Sequence, residues 1–245
     1  MNLKVLRIME ETHDTKTLFL VDAEEGGRPF DYLAGQYLTF RFDHLAEKPF
    51  VRSYTLSSSP CETDYSAVTV KKLDMGLAST YLCSLREGDC LRARGPMGGF
   101  VYEAHKHKPH LFMIGAGSGV TPFVSILREY HDKLGQAHAP KSMTLLVSYR
   151  TQQDLILWQD LQKLKAHSPS LHIFTTLSRE PESEQFWSGR ISPAVLQRAT
   201  EHLGMKSYSD TTFMLCGPVE MMDSIKSQLS KELPPEQIRT ESFDS

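Results

Sequence analysis

The sequence predicts two consecutive folds: an antiparallel β-barrel over residues 1–105 and an α/β domain with a parallel sheet over residues 106–245. Two observations support this order. In the first part, short runs of alternating apolar and polar residues are separated by turn residues, a pattern typical of antiparallel barrels and sandwiches. After residue 110, short apolar strands alternate with amphipathic runs, which predicts β-α-β units with helices on both faces of a parallel sheet.

The alternation in the predicted barrel is clearest over residues 36–42. Leu38, Phe40 and Phe42 share one face of this run, and polar or amphipathic residues take the other face. Successive side chains of a strand point to opposite faces of its sheet, so the run predicts a strand with one buried face. Two more alternating runs and a short covering helix are expected in this half: Ala67–Lys71, Cys90–Arg94 and Ala78–Leu85.

In the second half we expect four strands and four helices, separated from the barrel by the strand-poor segment Glu103–Pro109. The expected strands are His110–Ile114, Thr144–Val147, His172–Leu177 and Thr212–Leu215. The expected helices are Val120–Lys133, Asp154–Lys165, Pro193–Thr200 and Glu220–Lys231. Three histidines in and beside the linker, His105, His107 and His110, are interpreted as solvated rather than metal-binding.

Composition excludes several classes of protein. The 245 residues include 27 basic and 30 acidic side chains, and neither half has the basic excess of a nucleic-acid-binding protein. The sequence has no apolar stretch of the length that a membrane helix needs, and its first residues do not resemble a signal peptide. The four cysteines lack the spacing of a zinc or iron–sulfur site. We therefore expect a cytoplasmic, monomeric protein without a metal, a nucleic-acid partner or a membrane partner.

A glycine-rich segment follows the first strand of the predicted parallel sheet. Gly115, Gly117 and Gly119 stand between the strand and a helix that begins near Thr121 and Pro122. Glycines let backbone N–H groups approach a phosphate, and a helix N-terminus adds a partial positive charge. The segment therefore favours a dinucleotide or phosphate site, and the alternative is a tight turn without a ligand.

A strand of the barrel has a second candidate phosphate group. In the run Arg52-Ser53-Tyr54-Thr55, Arg52 and Tyr54 lie on one face and Thr55 on the other. An arginine can bind a phosphate bidentately, and an adjacent aromatic side chain can cover a flat ring. The alternative is an ordinary barrel strand whose Arg52 pairs with a surface carboxylate.

Five motifs in a fixed order resemble the ferredoxin–NADP reductase superfamily. They are Arg52-Ser53-Tyr54-Thr55, Gly76-Leu77-Ala78-Ser79, Gly115–Pro122, Cys216-Gly217-Pro218 and Glu241-Ser242-Phe243. The segments Tyr54–Pro60 and Tyr149–Asp154 look closest to the reductase of the hybrid-cluster protein. That subgroup has an additional [2Fe-2S] domain, whose cysteines are not in this chain. The resemblance thus implies either a separate redox partner or a cluster domain beyond this sequence.

The resemblance implies an FAD site on the barrel. Arg52 would hold the FAD pyrophosphate, Tyr54 would lie against the isoalloxazine, and Thr55 would hydrogen-bond near flavin N5. Further contacts would come from the backbone of a neighbouring strand and from the turn before the short helix: Thr69, Lys71, Gly76, Ala78 and Ser79. Members of the family often have Gly-Gly where this chain has Met75-Gly76.

The resemblance also implies a site for NADH or NADPH on the second half. The pyrophosphate would be bound by the glycine loop: Gly115, Gly117, Gly119 and Thr121. Cys216 would lie beside the nicotinamide C4, and Glu241 and Phe243 near the reacting rings. An inert core cysteine is the alternative interpretation of Cys216.

Three further residues bear on the choice between the two cofactors. Ser178, Arg179 and Arg190 could bind the 2′-phosphate of NADPH, although the subgroup that this chain most resembles generally uses NADH. The alternative is that Arg179 and Arg190 lie on a solvent-exposed loop and bind no phosphate.

The implied function is an FAD-dependent NAD(P)H oxidoreductase that passes single electrons to an iron–sulfur or flavodoxin-type protein. Thr55, Cys216 and Glu241 are its expected catalytic residues. Two alternatives stay open: a reductase of free flavin or another small molecule, and a non-enzymatic electron-transfer subunit that holds flavin.

Overall fold

The computed structural model describes residues 1–243, and its N-terminal half contains six strands and one helix. They are β1 Asn2–Thr12, β2 Thr15–Asp22, β3 Tyr37–Phe42, β4 Phe50–Thr55, β5 Ser66–Lys71, α1 Leu77–Ser84 and β6 Cys90–Met97. The strands form one antiparallel sheet in the order β4-β3-β6-β1-β2-β5. A bridge between Leu56, directly after β4, and Val68 of β5 joins the two outer strands. The sheet therefore closes, and the predicted antiparallel barrel is confirmed.

The core of the barrel follows the predicted alternation. Leu38, Phe40 and Phe42 of β3 are buried, whereas the residues between them are exposed or half-buried. Leu82 of α1 packs onto the same cluster, so the short helix covers the barrel as expected. Burial of these side chains stabilises the half by the usual hydrophobic term, about 25 cal/mol per Å² of apolar surface.

The C-terminal half contains six strands and four helices. The strands are β7 His110–Ala116, β8 Ser142–Tyr149, β9 Leu171–Leu177, β10 Trp187–Ser188, β11 Thr211–Cys216 and β12 Ile238–Glu241. The helices are α2 Thr121–Tyr130, α3 Trp158–His167, α4 Pro193–His202 and α5 Val219–Leu229. The strands are parallel and lie in the order β10-β9-β8-β7-β11-β12. The predicted parallel sheet is confirmed.

The order of these strands reverses at the centre of the sheet. The chain runs from β7 outward through β8 to β10 and then returns to β11 on the other side of β7. Helices α2 and α3 pack on one face, and α4 and α5 on the other. In such sheets ligands bind at the carboxyl ends of the strands, where the order reverses. The ends of β7 and β11 are therefore the expected position of a cofactor.

Several details differ from the sequence prediction. α3 begins at Trp158 rather than Asp154, because Thr151 and Asp154 cap a separate 3-10 turn and Leu157 adopts a left-handed φ of 56°. The glycine loop ends in a 3-10 turn, so α2 begins at Thr121. The strands β1 and β2 were not predicted, and neither were β10 and β12, whose two to four residues give no readable periodicity.

The two halves share part of one hydrophobic cluster. Phe100 and Tyr102, which follow the last barrel strand, pack with Phe123 of α2 and its neighbours. The ring centroids of Phe100 and Phe123 are 5.9 Å apart. The domain boundary between residues 105 and 106 remains a prediction.

The sequence suggested that the linker histidine His107 is solvated, but the structure shows that it is not. Its side chain is buried, and its Nδ1 accepts a hydrogen bond from the backbone N–H of Glu103 at 2.8 Å. The other ring nitrogen faces Arg239 of β12 at 3.0 Å, which brings the linker against the far end of the sequence. Burial and the nearby Arg239 lower the pKa of His107.

None of the helices within residues 1–243 has the length and apolar character needed to cross a bilayer.

Candidate cofactor site

The glycine loop lies at the carboxyl end of β7, directly against β11. Gly117 has a left-handed φ of 54°, and a Cβ added there would point into open space. A Cβ added to Gly119 would instead lie 2.3 Å from the carbonyl oxygen of Cys216. Gly119 thus permits close packing of the loop on β11, and Gly117 keeps the loop surface open for a ligand. The hydroxyl of Thr121 donates to the Ser118 carbonyl at 2.9 Å and fixes the start of α2.

Cys216 and Glu241 lie side by side at the same edge. Cys216 is in register with Gly115 of β7 on one side and with Glu241 of β12 on the other. The thiol is fully buried, and burial together with Glu241 raises its pKa. Burial also raises the pKa of Glu241 to about 7. Within residues 1–243, the Oε2 atom of Glu241 is buried without a hydrogen-bond partner.

On the barrel, Arg52 is exposed at the edge strand β4. Its Nη1 donates to the adjacent Val51 carbonyl at 2.8 Å, and the guanidinium lies 5.3 Å from the ring centroid of Phe50. Among residues 1–243, no carboxylate forms an ion pair with Arg52, so the alternative of a surface ion pair has no support. Tyr54 is half-buried, with its ring centroid 5.9 Å from that of Phe40.

The side chains of Thr55, Thr69 and Lys71 have different environments. Thr55 is buried at the end of β4. The hydroxyl of Thr69 donates to Ser57 Oγ at 2.9 Å, and the Lys71 ammonium binds Asp14 at 2.5 Å. The side chains of Thr69 and Lys71 are therefore engaged within the protein.

A tight turn precedes α1 at the second flavin motif. Met75 adopts a left-handed φ of 63°, a conformation that explains why glycine is common at this position in the family. The Ser79 hydroxyl donates to the Gly76 carbonyl and accepts from the Leu73 N–H, both at 3.1 Å. Ser79 thus shapes the turn, and Ala78 lies buried beside it in the first turn of α1.

The candidate residues for the 2′-phosphate lie at the outer part of the parallel sheet. The N–H of Gly189 donates to the Leu177 carbonyl at 3.0 Å, which brings Ser178 and Arg179 beside Arg190. Both arginines are exposed, and neither forms an ion pair with another residue of the described chain. Phe243 is exposed beyond β12.

One strand of the predicted flavin site lies close to the glycine loop. Cα atoms of β5, which contains Thr69, come within 8 Å of those of the 3-10 turn that contains Gly117 and Gly119. Cys216 and Glu241 lie at the same edge of the parallel sheet. Arg179 and Arg190 lie beyond β9 and form a separate outer group.

Most helices within residues 1–243 begin without a side-chain hydrogen bond at the cap, namely α1, α2, α3 and α5. Ser192 caps α4, and the N–H of Leu157, the N-cap residue of α3, donates to Glu11 at 3.2 Å. Three of the four uncapped helices follow the motifs at Gly76, Gly115–Pro122 and Cys216-Gly217-Pro218. The helix dipole favours an anion at such an N-terminus.

One group of potential metal ligands occurs within residues 1–243. Ligand atoms of His13, Asp14 and Asp154 lie within 4.8 Å of one another, and the site is empty. The ammonium of Lys71 lies between the two carboxylates, 2.5 Å from Asp14 and 3.9 Å from Asp154. Lys71 thus supplies the positive charge at this cluster.

Sequence reasoning missed two hydroxyl residues near the end of β9. The Oγ1 atoms of Thr175 and Thr176 are buried with no hydrogen-bond partner in the described part of the chain. Adjacent threonines at the carboxyl end of a buried strand, just before Ser178, were the available signal. This signal was missed because threonine is also common in ordinary strands.

Comparisons with known proteins match both halves of the chain. The oxidoreductase FAD-binding domain family matches residues 2–102, and the oxidoreductase NAD-binding domain family matches residues 113–227. The NADH-cytochrome b5 reductase 1 of Neosartorya fischeri is 31% identical over 205 residues, which cover 81% of this chain and 65% of that protein. The protein of the same name from Aspergillus terreus is 30% identical, with 81% and 68% covered. The chain thus spans about two thirds of the length of these curated relatives.

A solved structure extends the likeness to the whole fold. The ferredoxin NADP⁺ reductase of Neisseria gonorrhoeae, with bound FAD and NADP, superimposes with a TM-score of 0.81 at 22% identity. The match covers 100% of this chain and 98% of that one. With both domain families matched in order and the barrel and parallel sheet in place, the chain belongs to the ferredoxin–NADP reductase superfamily of FAD- and NAD-binding oxidoreductases.

Proposed function

We propose that the chain is an FAD-dependent NAD(P)H oxidoreductase that delivers electrons to a protein acceptor. The main support is the close approach of β5, a strand of the proposed flavin site, to the glycine loop of the other half. Cα atoms of β5 and of the turn that contains Gly117 and Gly119 come within 8 Å of one another. Glu241, which has one oxygen unpaired in the described chain, lies next to Cys216 on the neighbouring strand at the same edge of the sheet. Such a site holds two nucleotides with their reactive rings together.

On the barrel, residues near the end of β4 have the principal roles. Arg52 binds the FAD pyrophosphate, Tyr54 covers the flavin ring, and Thr55 donates a hydrogen bond near N5. The backbone of β5 and the uncapped start of α1 complete the binding site: Thr69, Lys71, Gly76, Ala78 and Ser79. FAD supplies the conversion between two-electron and one-electron chemistry when it is bound.

In the second half, the start of α2 binds the pyrophosphate of NAD(P)H through Gly115, Gly117, Gly119 and Thr121. Cys216 packs beside the nicotinamide, and Phe243 shields the rings from water. Glu241 places a carboxylate where the nicotinamide ring acquires positive charge on oxidation. Preorganised opposite charge at such a position lowers the barrier to reaction.

The acceptor is proposed to be a small redox protein of iron–sulfur or flavodoxin type. The reductase from Neosartorya fischeri is named for cytochrome b5, which favours a protein acceptor over a small molecule. A protein-directed reductase should be slow with free flavin and fast with its partner. The reverse order of rates would favour the small-molecule alternative.

The first prediction concerns reduction by the nicotinamide cofactors. Purified protein loaded with FAD should lose its flavin absorbance when NADH or NADPH is added without oxygen. Stopped-flow absorbance with each cofactor in parallel measures this. A yellow protein that neither cofactor bleaches would favour the non-enzymatic subunit.

The second prediction concerns Arg52. Arg52→Ala should weaken FAD binding by about tenfold to hundredfold, because a charge-assisted hydrogen bond is worth about 1.5–3 kcal/mol. Fluorescence titration of the apoprotein measures the Kd. Arg92→Ala is the matched control, since Arg92 is an exposed barrel arginine paired with Asp43. Equal Kd values in wild type and Arg52→Ala would refute the role.

The third prediction concerns pH. Glu241 is uncharged below about pH 7 and ionised above it, because burial raises its pKa to about 7. Its negative charge favours the cationic oxidised nicotinamide, so flavin reduction should accelerate as pH rises through 7. Glu241→Gln should be slower at high pH and lack this inflection. The exposed Glu236→Gln serves as the control, and an unchanged inflection in Glu241→Gln would contradict the assignment.

Stability gives a second readout for Glu241. A carboxyl whose folded pKa lies above its ordinary value stabilises the fold at low pH and loses this contribution as pH rises through the folded pKa. The Tm of wild type, relative to Glu241→Gln, should therefore fall between about pH 4.5 and pH 7. If the Tm of wild type and that of Glu241→Gln change with pH in parallel, the titrating group is not Glu241.

The fourth prediction concerns cofactor preference. The double variant Arg179→Gln/Arg190→Gln should raise the KM for NADPH by about tenfold or more, through loss of bidentate phosphate contacts. The KM for NADH, which has no 2′-phosphate, should stay within about twofold. Arg198→Gln at the same edge is the control, because that arginine already pairs with Glu182. Equal changes in the KM for NADH and for NADPH would show that Arg179 and Arg190 do not bind the 2′-phosphate.

A further inference from the structure

Both candidate cofactor segments lead into one polar contact between the halves, which we call the seam. It consists of Ser57, Ser58 and Ser59 on the barrel and Ser125, Arg128 and Glu129 on α2. The Ser125 hydroxyl donates to the Ser58 carbonyl at 2.7 Å, and the Ser59 hydroxyl donates to Glu129 at 3.2 Å. Arg128 Nη1 donates to the Ser57 carbonyl.

The seam is close in sequence to both cofactor segments. On the barrel, Ser57 follows Thr55 by two residues, so the chain passes directly from the flavin motif into the seam. On the other side, α2 begins at Thr121 immediately after the glycine loop. At 1.5 Å per residue, Arg128 lies about 10 Å along this helix from Thr121. A rigid helix and a short extended segment therefore connect the two cofactors through the seam.

Arg128 is the member of the seam that joins three elements. One guanidinium nitrogen binds the Ser57 carbonyl, and the other binds the carboxylate of Asp160 on α3. The side chains of Arg128 and Asp160 are 23% and 28% exposed, so solvent screens this contact less than a surface ion pair. A lysine at this position would retain the charge but would lack the forked guanidinium that serves both acceptors.

Ser57 is also held from inside the barrel by a chain of buried hydroxyl groups. Ser57 Oγ accepts from Thr69 at 2.9 Å, and the hydroxyls of Thr69 and Thr17 are 2.8 Å apart. Thr17 donates to Glu11 at 2.6 Å, and Glu11 accepts the N–H of Leu157 at 3.2 Å. This second route ends at the start of α3, the helix that also contains the Asp160 partner of Arg128. Ser57 is thus fixed to α3 through both its carbonyl and its hydroxyl.

We propose that Arg128 is a positioning residue that aligns the nicotinamide with the flavin by clamping the Ser57 backbone to α2 and α3. This inference rests on the proposed reductase function. Transfer between the rings requires the reacting atoms to lie about 3–3.5 Å apart, and a displacement of about 1 Å can cost about a hundredfold in rate. Loss of the clamp lets the barrel shift relative to the glycine loop without removing any group that binds either cofactor.

The test compares wild type, Arg128→Lys and Arg128→Met as FAD-loaded proteins in anaerobic stopped-flow experiments. The rate constant for flavin reduction, per bound flavin, should fall by about tenfold or more in Arg128→Met and by less in Arg128→Lys. The Kd for the nicotinamide cofactor should change by less than about threefold, because the glycine loop is intact. The long-wavelength charge-transfer absorbance of the stacked rings should weaken in the same order as the rate.

Arg198→Lys and Arg198→Met are the matched controls. Arg198 pairs with Glu182 and lies 4.3 Å from the ring centroid of Trp187, all within the second half. These variants should reduce flavin at the rate of wild type. Loss of an ion pair within one half should therefore leave the charge-transfer absorbance unchanged.

The outcomes separate this inference from the proposed function. If neither cofactor reduces wild type, the reductase function itself fails. If wild type is reduced and both Arg128 variants keep its rate per flavin and its charge-transfer absorbance, only the positioning role is overturned. A lower Tm or flavin content with an unchanged rate per flavin would also overturn it. If Arg128→Met does not fold, the single variants Arg128→Lys and Asp160→Asn are compared with wild type instead. Unchanged rates of flavin reduction in both variants would refute the positioning role of Arg128.

Discussion

Packing of the barrel against α2 is the interaction on which the candidate site depends. The rings of Phe100 and Phe123 meet at 5.9 Å between centroids, and those of Tyr102 and Tyr130 at 5.5 Å. This apolar contact stabilises the association of the halves, but hydrophobic attraction has no preferred direction. Hydrogen bonds do, so the seam around Arg128 can select one orientation of the two halves. Binding strength and alignment therefore come from different groups of side chains.

The carboxyl edge of the parallel sheet combines close packing with unpaired polar atoms. Gly119 allows its loop to lie on the Cys216 carbonyl, and Glu241 occupies the next strand with one oxygen unpaired in the described chain. A buried polar atom without a partner costs free energy, so it is rare in ordinary cores. The arrangement is understandable if a bound cofactor supplies the missing partner, and the raised pKa of Glu241 is a consequence of the same burial.

The parts that sequence analysis predicted depend on local patterns. The alternation of Leu38 and Phe40 predicted a barrel strand, and the glycine loop indicated the proposed cofactor edge, because each pattern is complete within a few residues. Features that depend on distant partners were not predicted. Glu11 binds the start of α3 across 146 residues, and His107 is buried against Arg239 across 132 residues. No periodicity encodes such pairs, and they include the network that we assign to alignment.

The position of Glu241 illustrates how far the site depends on such distant contacts. Strand β12 has four residues at the edge of the sheet and pairs only with β11 in the described structure. Its neighbour Gln237 donates to the Thr211 carbonyl at 2.8 Å, and Arg239 donates to the Gly99 carbonyl of the barrel at 2.7 Å. One contact fixes the strand to its own sheet and the other to the opposite half. Glu241 is therefore placed relative to both halves at once, which its proposed role beside two cofactor rings requires.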